Sequence, residues 1–228
     1  MGDLGSKLVA RMNCDTVFTI PIFGGVGISE SVVITWIVMA FMVILSICLT
    51  RNFHVDQISK RQAAVESAYT GLTGFIRDIV GENGKRYVPY LTTLILFLGI
   101  SNLIGLVGLK PPAKDLNVTV ALALMSIILV QLAGIRQKGL KGWLKSFAEP
   151  SALITPLNIM DVLTRPLSLC MRLFGNILGG FVIMELIYAV APIIVPIPLS
   201  LYFDIFDGLM QAYIFVFLTS LFIREAVE

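Results

Sequence analysis

The chain has 228 residues, of which 57% are hydrophobic and 14% charged, and its net charge is +2. Soluble domains carry about 25% charged residues, so the composition excludes a soluble domain and predicts a single membrane domain. A charge this small gives no indication of nucleic-acid binding. The cysteines, Cys14, Cys48 and Cys170, are odd in number and widely spaced, which predicts neither a disulfide framework nor a metal site.

The first third of the chain predicts a leader, one span and an amphipathic helix. Residues 1–29 contain Pro21 and several glycines and are expected to form an irregular external leader. Residues 31–50 are uncharged, and at a rise of about 1.5 Å per residue they span one hydrocarbon core. Residues 55–81 place apolar residues on one face, which predicts a helix in the membrane interface or packed on a partner. A soluble hairpin is the alternative for this segment.

The remainder predicts four more spans and an all-α fold. Residues 87–109 and 118–135 are uncharged, and Asn102 within the former predicts a helix–helix hydrogen bond. A basic cytoplasmic loop is expected at 136–150. Two long tilted helices, 157–190 and 199–224, follow as a hairpin whose turn contains Pro192, Pro196 and Pro198. Five transmembrane helices with the N-terminus outside and the C-terminus in the cytoplasm best satisfy the positive-inside rule.

Arg172 is the most informative residue, because it puts a permanent charge in the middle of an apolar run. Burying such a charge in a bilayer costs at least about 3 kcal/mol, so a functional role is the default hypothesis. On a helical wheel Arg165, Ser168, Asn176 and Gly179 fall within about 40° of Arg172. This face is otherwise small or polar and leaves room for another helix. A small-residue packing motif at Gly175 and Gly179 is the structural alternative, but it does not explain the arginine.

Acidic and amide groups lie on both sides of Arg172 along the hairpin. Asp204, Asp207 and Gln211 share one helical face, and the two aspartates lie toward the outside together with Glu185. Asn158, Asp161 and Ser168 lie toward the cytoplasm, where Asp161 has Arg165 at i+4 as a structural partner. The pattern suggests two hydrated vestibules separated by a fixed cation. Ions would then cross only on a mobile carboxylate supplied by another chain, which Arg172 would favour in its ionised form.

These residues resemble subunit a of the F-type ATP synthase, in its bacterial form. The resemblance is close around Arg172–Asn176 and around Leu209–Phe215, and it extends to Pro156–Ile159 and Arg165–Ser168. It implies a non-catalytic, cofactor-free stator subunit that presents Arg172, with Asn176 and Gln211 nearby, to a rotating ring of c subunits. It further implies b subunits of the peripheral stalk and the other ATP synthase subunits as partners, a bacterial plasma membrane, and H⁺ or Na⁺ as the transported ion.

Two positions depart from the family pattern. Some bacterial relatives carry a glutamate where this chain has Phe181 and a histidine where it has Asp204. We therefore expect Glu185, Asp204 and Asp207 to line the outer half-channel, and Asn158, Asp161 and Ser168 the inner one. A stand-alone secondary transporter, with Arg172 binding an anionic substrate, is the main alternative function. A structural membrane scaffold is the second alternative, although it assigns no role to the charged residues inside the membrane.

Overall fold

A computed structural model describes residues 16–20, 26–51, 53, 59–107, 109–146, 155–190 and 195–227. Its helices are α1 (Glu30–Thr50), α2 (Lys60–Val80), α3 (Val88–Leu103), α4 (Leu116–Ser146), α5 (Thr155–Val190), α6 (Pro196–Ser200) and α7 (Gly208–Val227). Five helical runs are long and apolar enough to cross a membrane: Glu30–Thr50, Glu82–Leu106, Leu116–Trp143, Met160–Ala189 and Pro196–Val227. The prediction of an all-α polytopic membrane protein is confirmed.

A small β-hairpin precedes the helices and corrects the expectation of an irregular leader. Strands β1 (Thr16–Ile20) and β2 (Val26–Ser29) pair antiparallel, with Thr16 opposite Ser29 and Ile20 opposite Val26. The rest of the predicted leader, residues 1–15 and 21–25, lies outside the described residues. The hairpin leads directly into α1. There Ser31, Ile34 and Val38 are buried, whereas the second half of the helix exposes apolar side chains, as a lipid-facing span does.

The amphipathic helix α2 has defined ends. The Ser59 hydroxyl accepts a hydrogen bond from the Gln62 amide at 3.2 Å, and Gly81 follows the helix with φ of 80°. Such a positive φ is reached by glycine at little cost, which ends the helix there. Ile76 and Val80 are buried against the bundle. The start of the predicted segment, residues 55–58, lies outside the described chain.

The expected loop at 136–150 is helical over its described part apart from a break at Gly139: one helical segment of α4 ends there, and a second runs to Ser146. Lys, Arg, Gln and Leu are good helix formers, so helix forms on both sides of the break. The interruption is at Gly139, whose φ of 70° and ψ of 163° break the helical geometry. Residues 147–150 lie outside the described part of the chain.

The last helix begins earlier than expected and is not α-helical throughout. Pro196 and Pro198 lie in its first turn rather than in the connecting turn, where a missing backbone N–H is tolerated. Pro192 lies outside the described residues. A π-helical segment, Leu201–Asp207, joins α6 to α7 and carries Asp204 and Asp207. Single π-helical turns occur often at functional sites.

The core lies between α3, α4, α5 and α7, with α2 packed beside α3 and α7. Its side chains are mostly aliphatic, but one polar contact joins α3 to α7. The Asn102 Nδ2 donates a hydrogen bond of 2.8 Å to the Gly208 carbonyl oxygen. A Cβ atom at Gly208 would lie 3.0 Å from the Asn102 Cβ, so glycine permits this close approach. The predicted helix–helix hydrogen bond of Asn102 is confirmed.

Candidate functional site

Arg172 lies on an open face of α5. Its side chain is exposed, as are Ser168 and Gly175, and within the described residues it makes no hydrogen bond or ion pair. A Cβ atom added at Gly175 or at Gly179 would meet no atom within 4 Å. The small-residue motif therefore packs against nothing in the described chain, and a further helix could approach the guanidinium closely along this face.

A hydrogen-bonded network begins one turn after Arg172. The Asn176 Nδ2 donates to Asp207 Oδ1 at 2.8 Å and to Gln211 Oε1 at 3.2 Å. Gln211 is 3% exposed, and its Nε2 has no hydrogen-bond partner among the described residues. The network joins α5 to the final helix, and it connects the predicted site residues Asn176 and Gln211 to one of the predicted outer acids.

The outer acids line a cavity of about 550 Å³ between α5, the final helix and the loop after α3. Glu185, Asp204 and Asp207 are half-buried and contribute carboxyl groups to its wall. Asp204 approaches Gly105 so closely that a Cβ atom there would lie 3.0 Å from its Oδ1. Asn176 lies at the Arg172 end of this cavity, and Tyr188 is the most C-terminal residue of α5 in the wall.

Two lysines of the α3–α4 loop also line this cavity, which the sequence did not suggest. Lys110 Nζ lies 2.6 Å from Glu30 Oε2 at the start of α1. Lys114 is only 4% exposed, and its Nζ lies 3.5 Å from the centre of the Phe181 ring. Adjacent to it, Asp115 accepts hydrogen bonds from the Ser29 hydroxyl at 3.0 Å and from the Asn117 amide at 2.9 Å. The loop is thereby held against the cavity.

A second cavity, of about 270 Å³, lies at the other end of α5. Asn158, Asp161 and Arg165 line it with residues of α4 and α7. Arg165 Nη2 lies 3.9 Å from Asp161 Oδ2, as the i+4 spacing predicts, but its closer partner is Glu225 Oε1 at 2.7 Å. The sequence analysis missed Glu225, because the contact joins the start of one long helix to the end of another.

Arg172 lies between the two cavities along α5. At about 1.5 Å per residue it is about 10 Å from Arg165 and about 6 Å from Asn176 along the axis. Leu169 and Leu173, which flank Arg172 in sequence on α5, are buried apolar side chains. Ser168, expected to line the inner path, is exposed on the Arg172 face and is not among the described residues that line the second cavity.

The sequence matches the model of one protein family, described as ATP synthase A chain, over residues 32–224. This chain belongs to the ATP synthase A chain family. It is 41% identical to ATP synthase subunit a 2 of a Bradyrhizobium species, over 90% of this chain and 91% of the relative. It is 35% identical to ATP synthase subunit a of Moorella thermoacetica, over 90% and 94% of the two chains. A relative from Propionigenium modestum, named ATP synthase subunit a, sodium ion specific, is 33% identical over 89% of this chain and 75% of its own length.

Membership of this family agrees with the resemblance carried by Arg172 and Gln211. The ATP synthase A chain is a multi-pass membrane subunit of the ATP synthase complex, and the five apolar helices of this chain suit that place. The stand-alone transporter has no support from these three relatives, each of which is named as an ATP synthase subunit a.

Proposed function

We propose that this chain is the stator of a rotary ion motor, in which two half-channels deliver ions to and from a moving carboxylate that faces Arg172. The observation that carries the proposal is the arrangement along α5. A polar cavity lies at each end of the helix, and the exposed guanidinium lies between them on a face that no other described residue covers. No described residue lines both cavities, and on this proposal ions pass from one to the other on a carboxylate of another chain.

The physical chemistry of arginine explains the coupling. A guanidinium keeps its proton in proteins, so it cannot itself carry protons across the barrier. It attracts an ionised carboxylate and lowers the proton or cation affinity of that group. A carboxylate of a ring subunit would release its ion at Arg172 and take up another in the next half-channel. The buried apolar side chains between the cavities, together with the positive charge, oppose a direct leak of cations.

The half-channel residues follow from the two cavities. Glu185, Asp204 and Asp207 are proposed to line the outer half-channel, and Asn158 and Asp161 the inner one. Asn176 and Gln211 are proposed to hold the polar side chains near Arg172 in place. Asn176 donates hydrogen bonds to both Asp207 and Gln211. Ser168 is better assigned to the surface that the ring passes, because it is exposed on the same face as Arg172.

The proposed assembly is a ring of c subunits on the open face of α5, together with b subunits of the peripheral stalk and the soluble ATP synthase subunits. The chain is non-catalytic by itself, since nucleotide chemistry belongs to other subunits. Its proposed location is the plasma membrane of a bacterium, with the N-terminus outside and the C-terminus in the cytoplasm. The basic residues of α2 and of the end of α4 support this orientation under the positive-inside rule.

The transported ion is H⁺ or Na⁺. One relative is named as sodium ion specific, and acids of the kind that line the outer cavity bind both cations. The measurement that separates them is ATP hydrolysis by the intact complex over a range of Na⁺ concentrations and pH values. Strict dependence on Na⁺ at neutral pH identifies sodium, and activity independent of Na⁺ identifies protons.

Replacement of Arg172 tests the proposed function. In an assembled complex, R172A is expected to abolish coupled ion transport, while ATP hydrolysis by the soluble subunits persists. The matched control is R61A, which removes an exposed arginine from α2 and should leave transport unchanged. Ion pumping by R172A at the wild-type rate would contradict the proposal.

A further inference from the structure

Arg165 lies between two carboxylates in the wall of the second cavity, and it binds them unequally. Its Nη2 lies 2.7 Å from Glu225 Oε1 on α7 and 3.9 Å from Asp161 Oδ2 on its own helix, α5. The shorter distance is that of a charge-assisted hydrogen bond, whereas the longer one exceeds hydrogen-bonding range. Arg165 is therefore bonded to α7, although an acid four residues away on α5 offers the same chemistry.

Phe222 holds the guanidinium on the same side. The ζ carbon of Arg165 lies 4.8 Å from the centre of the Phe222 ring, within the range of cation–π attraction. Phe222 and Glu225 are three residues apart on α7, so one face of that helix supplies both contacts. The Arg165 side chain is 24% exposed, whereas that of Asp161 is 58% exposed. The Asp161 carboxylate thus stays open to water while the guanidinium lies against α7.

The charged groups of this cavity come from three helices. They are Lys138 on α4, Asp161 and Arg165 on α5, and Glu225 on α7. Lys138 is exposed, and solvent ions screen its charge. Of the two bases, Arg165 is the one that pairs with acids of the cavity wall within the described chain. The acid that Arg165 engages therefore decides the state of the other.

A carboxylate that is bonded to a guanidinium holds a passing ion weakly. A proton or a metal ion has to displace the arginine, which lowers the affinity of the carboxylate for both. Asp161 is the acid proposed for the inner half-channel, so a hydrogen bond from Arg165 to Asp161 would hinder ion uptake from the cytoplasm. Since a guanidinium does not lose its charge in proteins, a competing partner is needed to keep it away. Glu225 is such a partner.

We propose that Glu225 is a positioning residue of the inner half-channel, which binds Arg165 and thereby keeps the Asp161 carboxylate available to the transported ion. The proposal rests on the proposed function, since Asp161 must exchange ions with the cytoplasm. An ion pair as exposed as this one contributes little to stability, so folding alone gives little reason for it. Neither Glu225 nor its contact with Arg165 is assigned a role by the resemblance.

The test measures ATP-driven ion pumping by the complex in inverted membrane vesicles, whose outer surface is the cytoplasmic face. In E225A, Arg165 is expected to turn to Asp161. The half-saturating Na⁺ concentration should then rise by about twofold to fivefold, the range that exposed ion pairs supply, while the maximal rate is kept. If protons are transported, half-maximal pumping should move to a lower pH, because a bound arginine lowers the proton affinity of a carboxylate. A structure of the E225A complex should show Arg165 within hydrogen-bond distance of Asp161.

The decisive comparison removes the arginine. In an R165Q background, E225A is expected to change nothing further, because no guanidinium remains to bind Asp161. If E225A raises the half-saturating concentration equally in both backgrounds, Glu225 acts on the ion directly and the proposal is overturned. Wild-type half-saturation in assembled E225A would overturn it as well. So would failure of E225A to assemble, since Glu225 would then serve folding.

The matched control is E82A, which removes an exposed carboxylate that pairs with Lys85 and lines neither cavity. It should keep the wild-type dependence. R172A is measured in parallel. If R172A remains coupled, the proposed function fails, and if it is uncoupled, an unchanged E225A refutes only the role of Glu225.

Discussion

Asn176 and Asp207 meet across the last two helices, where the Asn176 Nδ2 donates a hydrogen bond of 2.8 Å to Asp207 Oδ1. The same amide nitrogen lies 3.2 Å from Gln211 Oε1. One side chain on α5 thereby holds two residues of the final helix in place, one of them in the wall of the outer cavity. This contact links the outer cavity to the level of Arg172.

Replacing Asn176 should slow transport more than replacing the charge that it contacts. N176L removes both hydrogen bonds and leaves the half-buried Asp207 carboxylate without this donor, which costs about 1.5–3 kcal/mol for a bond to a charged group. We expect slower ATP-driven ion pumping, because the side chains of Asp207 and Gln211 are no longer held by Asn176. D207N keeps an acceptor oxygen and should assemble normally. Wild-type pumping in N176L, normalised to the amount of subunit in the membrane, would contradict this role.

Asp204 and Asp207 are both expected to contribute to ion transport through the outer half-channel. Asp204 and Asp207 both line the cavity and are half-buried. When either side chain is shortened to alanine, water can fill the space that the carboxylate leaves, so the core is not expected to collapse. Each single alanine variant is expected to slow ion transport, and the double variant D204A/D207A to slow it further, while all three assemble. Transport rates in membrane vesicles and immunoblots of the subunit check both points. Normal transport in the double variant would rule out these residues as the outer lining.

Two glycines should respond oppositely to a bulky side chain. A Cβ atom at Gly208 would lie 3.0 Å from the Asn102 Cβ, whereas one at Gly179 would meet nothing within 4 Å. G208L is therefore expected to force α3 and α7 apart, at a cost of about 1–3 kcal/mol or more, and to lower the amount of folded subunit. G179L should fold normally but interfere with the ring that passes α5. Protease resistance of the subunit and its co-purification with the ring distinguish the two defects, and equal behaviour would refute the assignment of the open face.

The ion pair at the inner cavity should contribute little to stability. Arg165 Nη2 lies 2.7 Å from Glu225 Oε1, but the Glu225 side chain is 61% exposed, so solvent screens the attraction. A double-mutant cycle with R165Q and E225Q is expected to give a coupling free energy of about 0.2–1 kcal/mol. R165Q alone should cost more than E225Q alone, because Arg165 also packs on the Phe222 ring at 4.8 Å. Thermal unfolding of the purified complex measures these differences, and a coupling of several kcal/mol would show a buried rather than a screened pair.

The amino-acid sequence predicted the class of the protein, and it singled out Arg172 as the centre of the candidate site, for simple reasons. Long uncharged runs can only be helices in a bilayer, because every backbone polar group must be bonded within the segment. A lone arginine in such a run is costly enough to need a function, and that reasoning led to Arg172 directly. The helical wheel also singled out Asn176 on one helix and Gln211 on the next, and in the structure a hydrogen bond joins these two side chains.

Other features escaped because their signals are weak or nonlocal. The charges at 136–145 were interpreted as a loop, although charge ends a hydrophobic span and not a helix; the chain turns at Gly139 and is helical again up to Ser146. β1 and β2 pair as a short hairpin. The proline and glycines in this part of the sequence weaken the alternating pattern by which strands are predicted. The helical wheel already placed Ser168 on the face of Arg172, but its assignment to the inner half-channel rested on its position along the helix; in the structure it is exposed and does not line the second cavity.

The sequence by itself determined the membrane class and the number of spans, and it pointed to Arg172 as a charge in the middle of an apolar run, because hydrophobic length and charge burial depend on local composition. Only the tertiary structure decided which distant residues form each cavity. Lys114 lies over Phe181, and Arg165 pairs with Glu225, because helix packing brings together residues that are tens of positions apart. The balance of charge in the outer cavity is a property of that packing, because acids and lysines from distant parts of the chain line it together.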